Sequence, residues 1–226
     1  MKLFNKIILI FIFMSFTCYS QDKGLRNKSV DILENTKLFY SLNSVKNLEG
    51  NYFINNLSNN SIWLKGQFLN NNRTGRWFIF NSTGKLIISY DFNKNSLSYI
   101  DGKLFDGINY EIDTKSNNKI LPIPLFSFEL LFKGLSELGS IESSNKSNEK
   151  LFLVANIDKS GGANYYVVDS NNKEVKQNLN LNLNKYFSFD WISAKANGEP
   201  VNSKIIFNLN IEQKLDSETK RFRWNY

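Results

Sequence analysis

The chain has 226 residues, of which 42% are hydrophobic and 15% aromatic, a composition that folds around a core rather than staying disordered. It carries a formal charge of +7, no His and one Cys, at position 18. Those counts remove the commonest general base, and beyond residue 18 they also remove thiol nucleophiles, thiolate metal sites and disulfides.

Lys2 and Lys6 precede the apolar run Ile7–Phe16, and Cys18-Tyr19-Ser20-Gln21 follows. This is a positive n-region, a short h-region and small residues at −3 and −1 of a cut after Ser20. The run is shorter than the ~20 apolar residues a membrane-crossing helix needs. Residues 1–20 therefore read as a cleaved signal peptide, and the protein as exported to the periplasm or cell envelope. A lipid on Cys18 or a retained anchor is the alternative, and only then is membrane contact expected. Cleavage takes the charge from +7 to about +5, two lysines fewer. No arginine-rich stripe with interleaved aromatics is present, so nucleic acid is not an expected partner.

Residues 21–49 read as a lead-in segment in which Val30, Leu33, Leu38 and Leu42 mark short helices at most. Residues 50–115 read as an antiparallel β meander. Aromatic-rich runs such as Ile62-Trp63-Leu64, Arg76–Phe80 and Leu86–Tyr90 alternate with Asn/Gly/Thr clusters that supply turn chemistry. The segment Gly75-Arg76-Trp77 with Asn81–Leu86 resembles MORN-type repeats of the YwqK antitoxin-like family, whose units stack and share a core.

Ser116–Pro124 reads as a joint, because both prolines hold their preceding residues extended. A helix is expected after Ser127 as N-cap, with Glu129 in its first turn, Leu131, Leu135 and Leu138 along one face, and Gly139 at its end. Leu151–Asp158 alternates and Asn164–Val168 returns across Lys159–Gly162, which makes a hairpin. Over 173–187, Val175, Leu179, Leu183 and Phe187 are spaced as on a helix, while Leu179, Leu181 and Leu183 alternate as on a strand. Periodicity leaves both open. A turn at Asn197–Pro200 and a strand from Lys204 to Ile211 close the pattern, and residues 213–226 form a charged, aromatic tail.

The run Trp191, Ala194, Asn197-Gly198, Pro200-Val201 followed by a final strand resembles the end of the TonB C-terminal domain family. Placed over residues 120–212, the resemblance implies a small three-stranded antiparallel sheet with one or two helices, one of them over 173–187. The expected fold class is thus α+β, a MORN-like meander followed by a TonB-C-like domain. Members of that family bind short segments of outer-membrane transporters by adding them as a strand beside the last strand. The resemblance therefore implies a protein- or peptide-binding module associated with outer-membrane transport. Energy-transducing members keep an inner-membrane helix and a Pro-rich stretch, and the cleaved signal and three prolines read here depart from that pattern, so a relative without the motor anchor is expected. Its implied peptide-binding edge is Lys204, Ile205, Ile206, Phe207, Asn208, Leu209 and Asn210. A structural or scaffolding envelope protein that interacts through the MORN-like repeats is the alternative.

No catalytic residue, cofactor or metal site is expected. The carboxylate pairs Asp106 with Glu111 and Asp158 with Asp169 read as hairpin-end and turn residues rather than acid–base pairs, and no phosphate-binding glycine pattern is present.

Overall fold

A computed structural model of the chain describes residues 24–137, 150–176, 179 and 181–209. The signal-peptide reading, the helix end at Leu138-Gly139, Asn210 and the tail lie outside the described residues.

Seven strands run consecutively as one antiparallel meander: β1 (Arg26–Leu33), β2 (Thr36–Leu42), β3 (Leu48–Asn56), β4 (Ser61–Leu69), β5 (Asn72–Phe80), β6 (Leu86–Asp91) and β7 (Ser96–Ile100). Residues 21–49, read as a lead-in with short helices, in fact supply β1, β2 and the start of β3. The Glu34-Asn35 turn joins β1 to β2, so the helix-like spacing of Val30, Leu33 and Leu38 straddles a reversal of the chain.

Register explains the sheet. Val30, Leu38, Ile54, Leu64, Ile79, Ile88 and Ile100 face one another in one unbroken row, one aliphatic residue from every strand. Five of these seven are at most 2% exposed. A residue on either side, the period of two puts Phe39, Phe53, Lys65, Phe78 and Tyr99 on the opposite face. The turns use Asn at positive φ, at Asn35, Asn60, Asn70, Asn71 and Asn95, where its short side chain tolerates the left-handed region.

The chain then leaves the meander through β8 (Asn109–Ile112), β9 (Lys119–Ile120) and β10 (Ile123–Pro124) into α1 (Phe128–Glu137). Ser127 caps the helix as expected, its Oγ accepting from the Leu130 N–H at 3.2 Å. Six of the ten helical residues are buried, spread around the helix, because it packs on two sides. Phe128 and Phe132 meet Phe207 at ring distances of 5.0 and 5.5 Å. On the other side Glu129 accepts from the Ser82 N–H and Glu137 from the Glu34 N–H.

The hairpin β11 (Leu151–Ile157) and β12 (Ala163–Asp169) is followed by β13 (Glu174–Lys176). No helix occupies the described part of 173–187. Leu179 and Leu181 are instead buried outside any helix or strand, with the Leu179 N–H donating to the Tyr165 carbonyl. Next come β14 (Trp191–Ile192), β15 (Ala194–Ala196), β16 (Glu199–Val201) and β17 (Ser203–Leu209). The Asn197-Gly198 pair closes the β15–β16 hairpin with both φ positive, at 52° and 89°, the geometry of a two-residue primed turn.

Two small sheets, β10-β14 and β16-β15-β9, and a five-stranded sheet ordered β13-β12-β11-β17-β8 complete the fold. The described residues are thus mostly antiparallel β with a single helix. The sheet of the second half has five strands where a three-stranded one was expected. One hydrophobic core cluster runs from Ile32 to Leu209 through both halves, so the expected joint at 116–124 does not separate two cores. The aromatic residues of the meander's inner face, including Trp77 at 0% exposed, belong to that core.

Candidate functional site

The expected peptide-binding edge lies on β17, and β17 is not an edge. It pairs antiparallel with β11 along its whole length, from Ser203↔Ile157 to Leu209↔Leu151. On its other side β8 takes Ser203 to Ile206, in the register Ser203↔Ile112, Lys204↔Glu111, Ile205↔Tyr110 and Ile206↔Asn109. The expectation of a free rim at Lys204, Ile205 and Ile206 is therefore corrected: a strand of the same chain already satisfies it. Only the stretch Phe207–Leu209 extends past β8, and among the described residues no strand pairs it on that side. Asn210 lies outside the described residues.

The side chains of β17 divide by parity. Ile205, Phe207 and Leu209 are at most 3% exposed and point to α1 and the core. Lys204, Ile206 and Asn208 point to the face opposite α1. There Ile206 joins Tyr166 and Val154 in one cross-strand row, and Val168 joins Phe152 and Asn208 in the next. Val154 and Val168 are only 3% and 6% exposed, although neither belongs to the continuous core. They form the floor of a groove of about 460 Å³ walled by Phe152, Tyr166 and Ile206. Asn109 and Glu111 of β8 stand at one side and Glu174 of β13 at the other.

The electrostatics of the groove are set by its margins. Lys204 Nζ donates to Glu111 Oε2 at 2.9 Å, and that hydrogen bond raises the Lys204 pKa above its ordinary value. Beyond this pair a second concavity of about 560 Å³ continues along the strand ends, lined by Asp113, Asp158, Asn164 and Asn202 as well as Glu111 and Lys204.

The sequence marks this face, in a signal that the reading of alternation alone passes over. In β11 the residues between the core-facing Leu151, Leu153 and Ala155 are Phe152 and Val154, so the strand is apolar on both sides. In β12 the core takes Tyr165 and Val167, leaving Tyr166 and Val168 outward. A strand apolar on both faces is covered on both faces or offers one of them to a partner. β8 gave no such signal, because Asn109, Tyr110 and Glu111 are all exposed.

Asp158 and Asp169, the second of the discounted carboxylate pairs, each hold a turn flanking β12. Asp158 accepts from the Ser160 N–H and hydroxyl and from the Gly162 N–H, which lowers its pKa and closes the β11–β12 turn. Asp169 accepts from the Asn171 and Lys173 N–H groups and closes the turn between β12 and β13. Among the described residues no three His, Cys, Asp or Glu side chains gather as a metal site. Trp191 is a packing residue at 2% exposed, its Nε1 donating to the Tyr165 hydroxyl at 2.8 Å.

A third concavity, about 620 Å³, lies where the meander meets the 179–190 segment. Its polar groups are used internally. Arg73 pairs with Asp190 at 2.6 Å, its guanidinium sits 5.1 Å from the centre of the Trp77 ring, and the Tyr52 hydroxyl nearby donates to the Tyr186 carbonyl. Comparison with known protein families, with curated proteins and with solved structures finds no match. No helix among the described residues is long and apolar enough to cross a membrane.

Proposed function

We propose that the protein is an exported peptide- or protein-binding module of the cell envelope, related to TonB C-terminal domains and associated with outer-membrane transport. Its binding surface is the face of the five-stranded sheet opposite α1, at the β8–β17 corner. The observation that carries this reading is the groove itself: an apolar floor of Val154 and Val168, outside the core, on that face. The rim Phe207–Leu209, which no strand among the described residues pairs beyond β8, borders it. An extended peptide fits such a site. Its apolar side chains enter the groove, its main chain reaches the rim, and the outer strands of the sheet are ~19 Å apart, the length of about six extended residues. The order β12-β11-β17 of the hairpin and closing strand, with α1 packed against Phe207, supports this reading.

The test is selection of short peptides on the full chain, followed by affinity measurements on variants. Ile206→Glu places a charge in the groove without touching the core and is expected to weaken selected peptides at least tenfold. Phe53→Ser, on the meander's outer face, is expected to leave them unchanged. Equal loss in both variants, or in neither, contradicts the reading.

A second reading rests on the meander. Phe39 and Phe53 stack at 4.6 Å with ring planes 10° apart, in a cross-strand row that continues through Lys65, Phe78 and the buried Ser89 to the 42% exposed Tyr99. A scaffolding protein that interacts through its β-repeats would use this row. It predicts the opposite result, with partner binding lost in Phe53→Ser and kept in Ile206→Glu.

A further inference from the structure

We infer that the groove takes a basic, aromatic segment and that its occupant in the resting protein is the chain's own residues 220–226, Lys-Arg-Phe-Arg-Trp-Asn-Tyr. This rests on the groove being a peptide site, as proposed above, and names the chemistry of the peptide.

Three observations lead there. The first is charge. The groove and its continuation along the strand ends are lined by four carboxylates, Glu111, Asp113, Asp158 and Glu174, against one ammonium, Lys204, in a chain whose net charge is +7. An acidic margin on a basic protein selects a cationic guest and disfavours an acidic one. Residues 220–226 carry Lys220, Arg221 and Arg223 and no acid.

The second is pattern. In an extended segment alternate side chains share a side, so Phe222, Trp224 and Tyr226 fall together and Arg221 and Arg223 fall opposite. The aromatic side matches a floor made of Phe152, Val154, Tyr166, Val168 and Ile206. The long guanidinium side chains reach outward to the carboxylates at the margins.

The third is position. β17 ends at Leu209, on the rim beside the groove. The eleven steps from Leu209 to Lys220 extend to ~36 Å, well beyond the ~19 Å width of the sheet. A segment tethered this close sees the groove at an effective concentration on the order of millimolar, so modest intrinsic affinity is enough to keep it docked. A foreign peptide then has to displace it, and the tail sets a threshold for binding.

Tryptophan quenching reads the docking directly. The chain has four tryptophans, and Trp63, Trp77 and Trp191 are at most 4% exposed, so acrylamide reports on Trp224. In the full chain Trp224 is expected to be shielded relative to a free peptide of residues 212–226. Ile206→Glu, and separately Arg221→Glu with Arg223→Glu, are expected to raise its quenching at least threefold with an unchanged melting temperature. Trp224 quenched as in the free peptide, or shielding that Ile206→Glu leaves unaltered, overturns the inference.

A second arm separates it from the reading it rests on. In the full chain carrying Phe222→Ser and Trp224→Ser, selected peptides are expected to bind about tenfold more tightly than to wild type. Unchanged affinity overturns tail docking and leaves peptide binding at the groove standing. A shielded Trp224 in wild type with no peptide bound by the Ser variant leaves tail docking standing and overturns the module reading.

Discussion

Lys204 Nζ donates to Glu111 Oε2 at 2.9 Å, across the ladder that joins the last described strand to a segment more than ninety residues earlier. The pair clips β8 onto β17 and so decides how much of that strand's rim is free. Both side chains are substantially exposed, which limits the pair to about 0.2–1 kcal/mol. Glu111→Lys is expected to cost no more than that in overall stability, while amide exchange at residues 109–112 accelerates because the strand peels locally. The raised Lys204 pKa fixes the sign of the pH effect. The contribution is present at neutral pH and is lost as pH rises through the elevated value, so on the alkaline side β8 loosens in strongly alkaline solution.

The two halves are also joined by Arg73 and Asp190, 117 residues apart in sequence. Both are partly buried, and Arg73 Nε is buried with no hydrogen-bond partner, so the guanidinium depends on Asp190. Asp190→Asn is expected to destabilise by about 1–3 kcal/mol, the cost of leaving a desolvated charge poorly paired. The double variant with Arg73→Met is expected to be no less stable than Asp190→Asn alone, since the orphaned charge is gone. Urea midpoints of the two single variants and the double give the coupling.

Gly66 is fixed by Trp77. A Cβ at Gly66 would sit 2.3 Å from the indole ring, which is fully buried and donates its Nε1–H to the Gln67 carbonyl. Gly66→Ala is expected to cost at least about 1–3 kcal/mol through overpacking. Trp77→Phe removes part of the obstructing ring, so Gly66→Ala is expected to cost less in that background than in wild type. Additive losses in thermal or urea unfolding contradict this reading of the contact.

Asp158 closes the β11–β12 turn from its carboxylate, and its lowered pKa carries the opposite sign to Lys204. The first cause is the Ser160 hydroxyl, followed by the backbone N–H groups. A depressed carboxylate stabilises above its ordinary value and loses that contribution as pH falls through the folded value. Asp158→Ala is expected to lower stability near neutral pH and to flatten the acid limb of the stability profile below the ordinary carboxylate range. Unfolding midpoints at neutral and strongly acidic pH check both.

Much of the fold was legible where turn chemistry and alternation agreed. Ser82–Gly84, Ser127 and Asn197-Gly198 mark boundaries the structure has, while of the turn cluster Asn70–Gly75 only Asn70-Asn71 is turn and the rest opens β5. Misreadings came where a local pattern had two explanations. Val30, Leu33 and Leu38 mimic a helix face only because a two-residue turn lies between them, and Leu179 gives its backbone N–H to Tyr165 rather than to a helix. The rim was misjudged for a different reason. Asn109–Glu111 is polar and exposed on both faces, so nothing in its sequence says that it completes a sheet ninety residues away. The groove, by contrast, was written in Phe152, Val154, Tyr166 and Val168, apolar residues on the side of the hairpin that the core does not use.

The most direct test of the account is to map backbone amide shifts of the isotopically labelled full chain as a selected peptide is added. The account predicts changes concentrated at Phe152, Val154, Tyr166, Val168 and Ile206–Leu209, with the meander silent. Changes centred on Arg73 and Asp190, or on the Phe39–Phe53–Phe78 row, would contradict it.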